Sequence, residues 1–190
     1  MTKSNSPPQK PPLPWYAQGL RFTCLQSGNC CSGAPGYVWI TPQEIHRLAQ
    51  HLALSDHQVI ENYCRRVGDH YSLSENPNAR GGYDCVFLVD QPPAPKAPSH
   101  QVAHACRSCT IYSVRPLQCR TWPFWHGNLL SNSNWDRACA RCPGMNRGRH
   151  HTLHEIESLR DAADWPANPA SPNIPPPSSN PESEIKNRKS

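Results

Sequence analysis

The chain has 190 residues, of which 36% are hydrophobic and 17% charged, with 22 prolines, 10 cysteines and a formal net charge of +5. A charge this small, with no dense basic block, gives no strong signal for a nucleic-acid partner. No segment approaches the roughly 20 apolar residues of a membrane span, and the amino-terminal residues lack the apolar stretch of a secretory signal. We therefore expect a cytoplasmic protein without a membrane partner, in a compartment where thiols stay reduced.

Proline-rich ends flank a single predicted domain. Segments 1–14 and 166–190 hold 12 of the 22 prolines and few large apolar residues, so they bury too little surface to offset the entropy of ordering. We predict a disordered N-terminal tail over 1–14, a cysteine-cluster metal-binding domain over 15–165 and a disordered C-terminal tail over 166–190. Within the domain, residues 91–104 read as a proline-rich insertion. The proline-rich tails are candidate ligands for a protein partner.

Three helix starts follow in chain order, each marked by a capping residue. Thr41, Ser55 and Thr152 each precede Glu or Gln by three residues, which is the pattern of a capping box. Apolar residues then recur at helical spacing, at Ile45, Leu48, Ala49 and Leu52, at Val59, Ile60, Tyr63, Cys64 and Val67, and at Leu153, Ile156, Leu159 and Ala163. This spacing predicts that the second helix continues through Val67 and that Cys64 belongs to the core.

Strand signals between these helices are weak. Residues 71–73 and 85–89 are predicted to pair as short strands across a glycine-containing loop. We therefore expect a small α+β fold, mainly of α-helices, with irregular cysteine-rich loops and at most a short β-hairpin. A mean hydropathy of −0.72 indicates a thin core, which favours a fold that is stabilised by metal.

The cysteines fall into tight local groups. Cys30 and Cys31 are adjacent. Neighbouring Cα atoms lie about 3.8 Å apart, whereas disulfides usually need about 4.4–6.8 Å, so a bond between the two would be strained. The two thiols can instead bind a metal, interact with other cysteines or pack in the core as small buried hydrophobic side chains. Two C-x2-C pairs, at 106–109 and 139–142, have a spacing typical of zinc and iron–sulfur sites, and spacing alone leaves both metals open.

Four stretches resemble a known family. FTCLQSGNCC (22–31), DCVFL (84–88), CTIYSVRPLQCRTWPFW (109–125) and CARCPG (139–144) are similar to the YkgJ-type cysteine-cluster proteins, whose hallmark begins C-x2-C-x2-C-C. The resemblance implies a zinc- or iron-chelating domain of undefined biochemical role, with Zn²⁺, iron or an iron–sulfur cluster as cofactor. Some relatives carry a flagellin lysine N-methylase label. The resemblance thus also implies an alternative function. In this alternative the protein is an enzyme, or an accessory of an enzyme, in the N-methylation of lysine residues of a protein such as flagellin, and it uses a metal centre held by cysteines.

Carried over position by position, the resemblance implies eight metal ligands, Cys24, Cys30, Cys31, Cys85, Cys109, Cys119, Cys139 and Cys142. Because adjacent side chains cannot complete a tetrahedral site with one near neighbour, we expect the first three to lie close to some of the next three. Ser27 stands where the hallmark has its second cysteine, and the candidate replacements are Cys106 and His126. We expect the remaining cysteines to close the site without Ser27.

The residues around these cysteines permit two interpretations each. Arg115 is a cation that could offset the charge of thiolates around a metal, or it could pair with a carboxylate. Residues 122–125 (WPFW) could wall the site from water or belong to the ordinary core.

We find no dinucleotide fingerprint, P-loop or Ser/His/Asp set, and the C-x2-C pairs lack the βαβ context of a thiol oxidoreductase. The sequence therefore assigns neither catalytic residues nor cofactor-binding residues.

Overall fold

The computed structural model describes residues 12–91 and 106–162. Its helices are α1 (Pro42–Leu52), α2 (Asp56–Tyr63), α3 (Leu117–Thr121), α4 (His126–Leu129), α5 (Asn132–Cys139) and α6 (Leu153–Asp161), with short 3-10 helices at Asn29–Cys31 and Tyr112–Val114. The C-terminal tail and most of the N-terminal tail and insertion, predicted at 166–190, 1–14 and 91–104, lie outside the described residues. In the part of the chain that is described, no helix has the length and apolar content needed to cross a membrane.

The described residues contain ten strands, so the expectation of a mainly helical fold with at most one hairpin is wrong. The strands are β1 (Leu20–Phe22), β2 (Ser32–Gly33), β3 (Trp39–Ile40), β4 (Cys64–Val67), β5 (His70–Leu73), β6 (Glu75–Pro77), β7 (Tyr83–Cys85), β8 (Leu88–Gln91), β9 (Cys106–Cys109) and β10 (Met145–His151). They form four small antiparallel sheets, β1–β10, β2–β7–β6, β3–β5–β4 and β8–β9. Most are too short for alternating hydrophobicity to identify them in the sequence. The fold is mixed α+β.

The predicted pairing of residues 71–73 with 85–89 is also wrong. Residues 71–73 belong to β5, which pairs with β3 and with β4. The β4–β5 hairpin is local, because Val67 lies opposite His70 across a loop of only Gly68 and Asp69. Gly68 has a φ of 58°, a conformation that glycine adopts without steric cost. β5 therefore pairs with β4, its neighbour across a tight turn, and not with the more distant residues 85–89.

All three predicted helix starts are confirmed. Thr41, Ser55 and Thr152 each accept a hydrogen bond from the backbone three residues on, and each receives the reciprocal capping contact. However, α2 ends at Tyr63 and does not reach Val67. Cys64 has the extended backbone angles φ −119° and ψ 155°, since residues 64–67 pair with β5. Strand pairing thus interrupts the helical pattern, and Cys64 is half-buried against the core.

Two hydrophobic clusters make up the core of the described residues. The first consists of buried residues from β3, α1, α2, β5, the connection between β7 and β8, and the residue before the Tyr112–Val114 helix, namely Ile40, Ile45, Leu48, Ala49, Val59, Leu73, Phe87 and Ile111. The second lies around α4, α5 and α6 and consists of Tyr16, Phe124, Leu129, Trp135, Met145 and Ile156. Cys85 and Cys109 pack against the first cluster, whereas Cys139 and Cys142 pack against the second. Four of the eight predicted metal ligands thus pack against one cluster or the other.

Candidate metal centre

One cavity collects most of the predicted ligands. It has a volume of about 50 Å³, and its lining includes seven of the eight cysteines, Cys24, Cys30, Cys31, Cys85, Cys109, Cys119 and Cys142. Leu73 and Ile111 of the first cluster also line it, as do Phe22 and Trp122 from the side of the second cluster. Across residues 12–91 and 106–162, no three His, Cys, Asp or Glu side chains are already placed as ligands of one ion. Metal ligation by this set therefore stays a prediction.

The other candidate residues lie apart or at the edge. Cys139 ends α5 beside the second cluster and accepts a hydrogen bond from Asn146 Nδ2 at 3.5 Å. It is absent from the cavity lining, as is His126, which is exposed at the start of α4. Ser27 does line the cavity. Cys106 begins β9, where it lies opposite Gln91.

A tight turn presents the adjacent cysteines. Gly28 precedes the Asn29–Cys31 3-10 helix with a φ of 71°, and its carbonyl accepts a hydrogen bond from the Cys31 N–H at 2.9 Å. A Cβ on Gly28 would lie 2.7 Å from Leu88 Cδ1 and 3.1 Å from Arg107 Cβ, so a substitution would have to displace the Leu88 side chain as well as adopt the positive φ. The turn brings the sulfurs of Cys30 and Cys31 to 3.7 Å from each other.

The thiols influence one another's ionisation. The hydrogen bond with Cys31 lowers the pKa of Cys30 to about 7, and the same contact, followed by burial, raises the pKa of Cys31. Burial raises the pKa of Cys85 to about 11. It also raises the pKa of Cys109 and of Cys119, where neighbouring sulfurs add to the effect. Several thiolates in this cavity therefore require a compensating positive charge.

Arg115 supplies one fixed positive charge beside the sulfurs. Its Nη1 lies 3.9 Å from Cys24 Sγ, its Nε donates to the Tyr112 carbonyl at 2.8 Å, and its guanidinium carbon lies 3.5 Å from the centroid of the Tyr112 ring. A hydrogen bond with Cys24 is also the main reason why the pKa of Tyr112 is raised. No described carboxylate forms an ion pair with Arg115. These contacts favour the role next to thiolates over the carboxylate pair.

Within the aromatic stretch 122–125, one residue walls the cavity from water and another belongs to the ordinary hydrophobic core. Trp122 lines the cavity, and its Nε1 donates to Cys142 Sγ at 3.4 Å. Trp125 packs edge-on against Trp122, with 4.8 Å between ring centroids. Phe124 is 1% exposed and belongs to the second hydrophobic cluster. Trp122 thus walls the cavity, while Phe124 is ordinary core.

Two buried polar residues that sequence reasoning did not assign to the site hold the helix that carries Cys119. Glu44 accepts a hydrogen bond from the Leu117 N–H at 2.7 Å. Gln118 accepts from the Trp39 N–H at 2.7 Å and donates to the Tyr37 carbonyl at 3.1 Å. The capping box signalled Glu44 as part of α1, but no local pattern could show its bond to α3.

Comparison with known proteins identifies the family. A family model described as "CxxCxxCC: Putative zinc- or iron-chelating domain" matches residues 23–143. The match covers more than half of the chain, so this protein belongs to that family of zinc- or iron-chelating domains, and the resemblance read from its motifs is confirmed.

A curated relative extends the comparison. Uncharacterized protein MJ0661 of Methanocaldococcus jannaschii is 25% identical over 109 residues, which are 57% of this chain and 48% of that protein. The chain thus spans about half the length of this relative. No solved structure matches the chain.

Proposed function

We propose that this protein binds zinc or iron through the cysteine sulfurs of the cavity between its two hydrophobic clusters. The observation that carries the proposal is the cavity itself, since seven cysteines from five separate segments of the chain line a space of about 50 Å³. Thiolates are soft ligands that suit zinc, iron and iron–sulfur centres. The donor set therefore fits the metals that the family description names.

Hydrogen-bond donors beside the sulfurs support metal binding. Burial and neighbouring sulfurs raise the pKa of Cys85, Cys109 and Cys119, which favours the neutral thiols until a cation binds and stabilises them as thiolates. Arg115 and the Trp122 N–H point at sulfurs, and such donors tune and retain metal centres.

The number of sulfurs bears on the kind of centre. A tetrahedral zinc ion takes four ligands, and the cavity offers more than four. The surplus suits either one closed site with spare thiols or a centre with more than one metal ion. The alternative role in lysine N-methylation stays a prediction, and no contact among the described residues addresses it.

Metal analysis of matched cysteine variants tests the proposal. The full chain is purified anaerobically, and zinc, iron and acid-labile sulfide are measured per chain. We expect Cys30→Ser and Cys119→Ser to lose most of the metal. Cys64→Ser is the matched control, because Cys64 is a half-buried cysteine that is not part of the cavity lining, and it should keep the metal of the unchanged chain. Ser27→Cys should add little if the site is already closed.

The outcomes separate the alternatives. Brown protein with iron and sulfide indicates a cluster, whereas colourless protein with zinc indicates a structural or chelating site. Protein that contains and takes up neither metal would contradict the proposal, as would a Cys119→Ser variant with undiminished metal. A clear rise in metal per chain in Ser27→Cys would show that the natural site is incomplete.

A further inference from the structure

A groove rich in arginine runs along the outer side of the cysteine cavity. It consists of two open depressions of about 410 and 460 Å³ whose walls share Arg141 and residues 29 and 32–34. Small-molecule sites in proteins commonly enclose about 300–1,000 Å³. We propose that this basic groove binds a small polyanion, meaning a molecule that carries two or more phosphate or carboxylate groups.

The charges of the groove favour an anion. Among the described residues, four arginines line it, Arg80, Arg107, Arg137 and Arg141. Arg107 is paired with Asp84 at 3.1 Å, and the groove carboxylate Glu75 is paired with Arg65 at 3.1 Å. The other three arginines form no ion pair with a carboxylate of the described residues. Their positive charges are therefore available to a ligand.

Arg141 is held in place at the point where the two depressions join. Its Nη2 donates to the Ser32 carbonyl at 2.8 Å, and its own carbonyl accepts from Asn29 Nδ2 at 3.0 Å. Gly33 leaves room for the guanidinium, because a Cβ at that position would collide with Arg141 Nη2. A guanidinium that is already fixed loses less side-chain entropy when it binds an oxyanion with two parallel hydrogen bonds. Arg141 is accordingly the central anchor of the proposed site.

The groove opens towards the predicted metal ligands. Cys30, Cys31 and Cys142 line both the 410 Å³ depression and the cysteine cavity. A polyanion on Arg141 therefore lies beside the outer face of the cysteine set. This inference goes beyond the proposed function, because anion binding by arginines does not need a metal. Anion binding by the groove and metal binding by the cysteines can therefore be refuted independently.

Calorimetric titration of the full chain tests the inference. Pyrophosphate and citrate are the polyanions, orthophosphate is the single-group comparison, and each is titrated into the protein as purified and into chelator-treated protein. We expect at least one polyanion to bind about tenfold more tightly than orthophosphate, with an affinity that falls as salt is added. The pyrophosphate and citrate arms distinguish phosphate from carboxylate recognition. Metal content measured on the same samples reports on the proposed function independently.

Three arginine variants locate the binding. Arg141→Ala should weaken polyanion binding by at least about tenfold, and Arg137→Ala, which removes an exposed side chain, should weaken it severalfold. Arg147→Ala is the matched control, since Arg147 is exposed on β10 and is not part of the groove walls. It should bind as the unchanged chain does. A melting curve verifies that each variant is folded, and if Arg141→Ala is not, Arg137→Ala decides.

Two results would overturn the inference. One is a chain that binds neither pyrophosphate nor citrate in either metal state. The other is equal affinity in the folded groove variants and in Arg147→Ala.

Discussion

The turn around Gly28 determines where two adjacent thiols point. Its φ of 71° starts the short 3-10 helix that carries Cys30 and Cys31, and its missing side chain leaves room for Leu88 and Arg107. The pKa of Cys30, lowered to about 7 by its bond with Cys31, is a consequence of the same turn. At the scale of single residues, Gly28 has no functional group of its own, yet its backbone conformation positions the sulfurs of Cys30 and Cys31.

Replacement of Gly28 by alanine should destabilise the fold by about 2–4 kcal/mol. The left-handed backbone costs about 1–2 kcal/mol for a residue with a Cβ, and the contact with Leu88 adds an overpacking cost of about 1–2 kcal/mol. Gly68→Ala is the matched control, because Gly68 also has a positive φ of 58° but nothing lies within 4 Å of the position that a Cβ would take there. It should cost only the backbone contribution of about 1–2 kcal/mol. Urea unfolding measures both, and equal losses would contradict the steric contribution of Leu88.

Among the secondary-structure elements, two capping boxes of the same form differ in what else they hold. The box of α2 uses Gln58, which is exposed and bonds only within its own turn. The box of α1 uses Glu44, which is 5% exposed and also accepts the Leu117 N–H of α3 at 2.7 Å. Through Glu44 the start of α1 positions the helix that carries Cys119. A local motif has thus become a tertiary link.

We expect Glu44→Ala to cost about 2–4 kcal/mol of the free energy of unfolding, because it removes a cap and also leaves buried donors without their acceptor. Gln58→Ala removes a cap alone and should cost about 1 kcal/mol. Urea unfolding gives both values. Hydrogen exchange adds a second test, since only the Glu44 variant should lose protection in α3. Equal effects of the two substitutions would show that the hydrogen bond between Glu44 and the Leu117 N–H does not contribute to stability.

Over the whole molecule, the cysteine cavity lies between two separate hydrophobic clusters. Cys85 and Cys109 pack on the first cluster and Cys142 packs on the second, so a metal held by these sulfurs would tie the two together. The four sheets have only two or three strands each, and small sheets contribute little independent stability. Metal binding would therefore supply part of the folding free energy.

Removal of metal should consequently lower the thermal midpoint by at least about 10 °C. Hydrogen exchange should increase around residues 22–36 and 106–142, which contribute most of the cavity lining. The measurements are a melting curve and an exchange map of chelated protein, with metal-reconstituted protein as the control. A sample shown to be free of metal that melts like the reconstituted protein would contradict this expectation.

The sequence alone determined the features that depend on residues close together in the chain. The three helix starts at Thr41, Ser55 and Thr152 were readable because their hydrogen bonds span three residues. The family was readable because its motif is a set of residues at fixed spacings within short stretches, such as CTIYSVRPLQCRTWPFW at 109–125. Neither inference required knowledge of where distant segments meet.

Only the tertiary structure decided the strand pairings, the end of α2 and the membership of the cavity. Cys139 and Cys142 form one C-x2-C pair, yet only Cys142 lines the cavity. Cys64 looked like a helical core residue, but pairing with β5 places it at the start of β4. The physical reason is the same in each case. Short strands and converging side chains are selected by long-range packing, and that packing leaves no periodic signal in the chain.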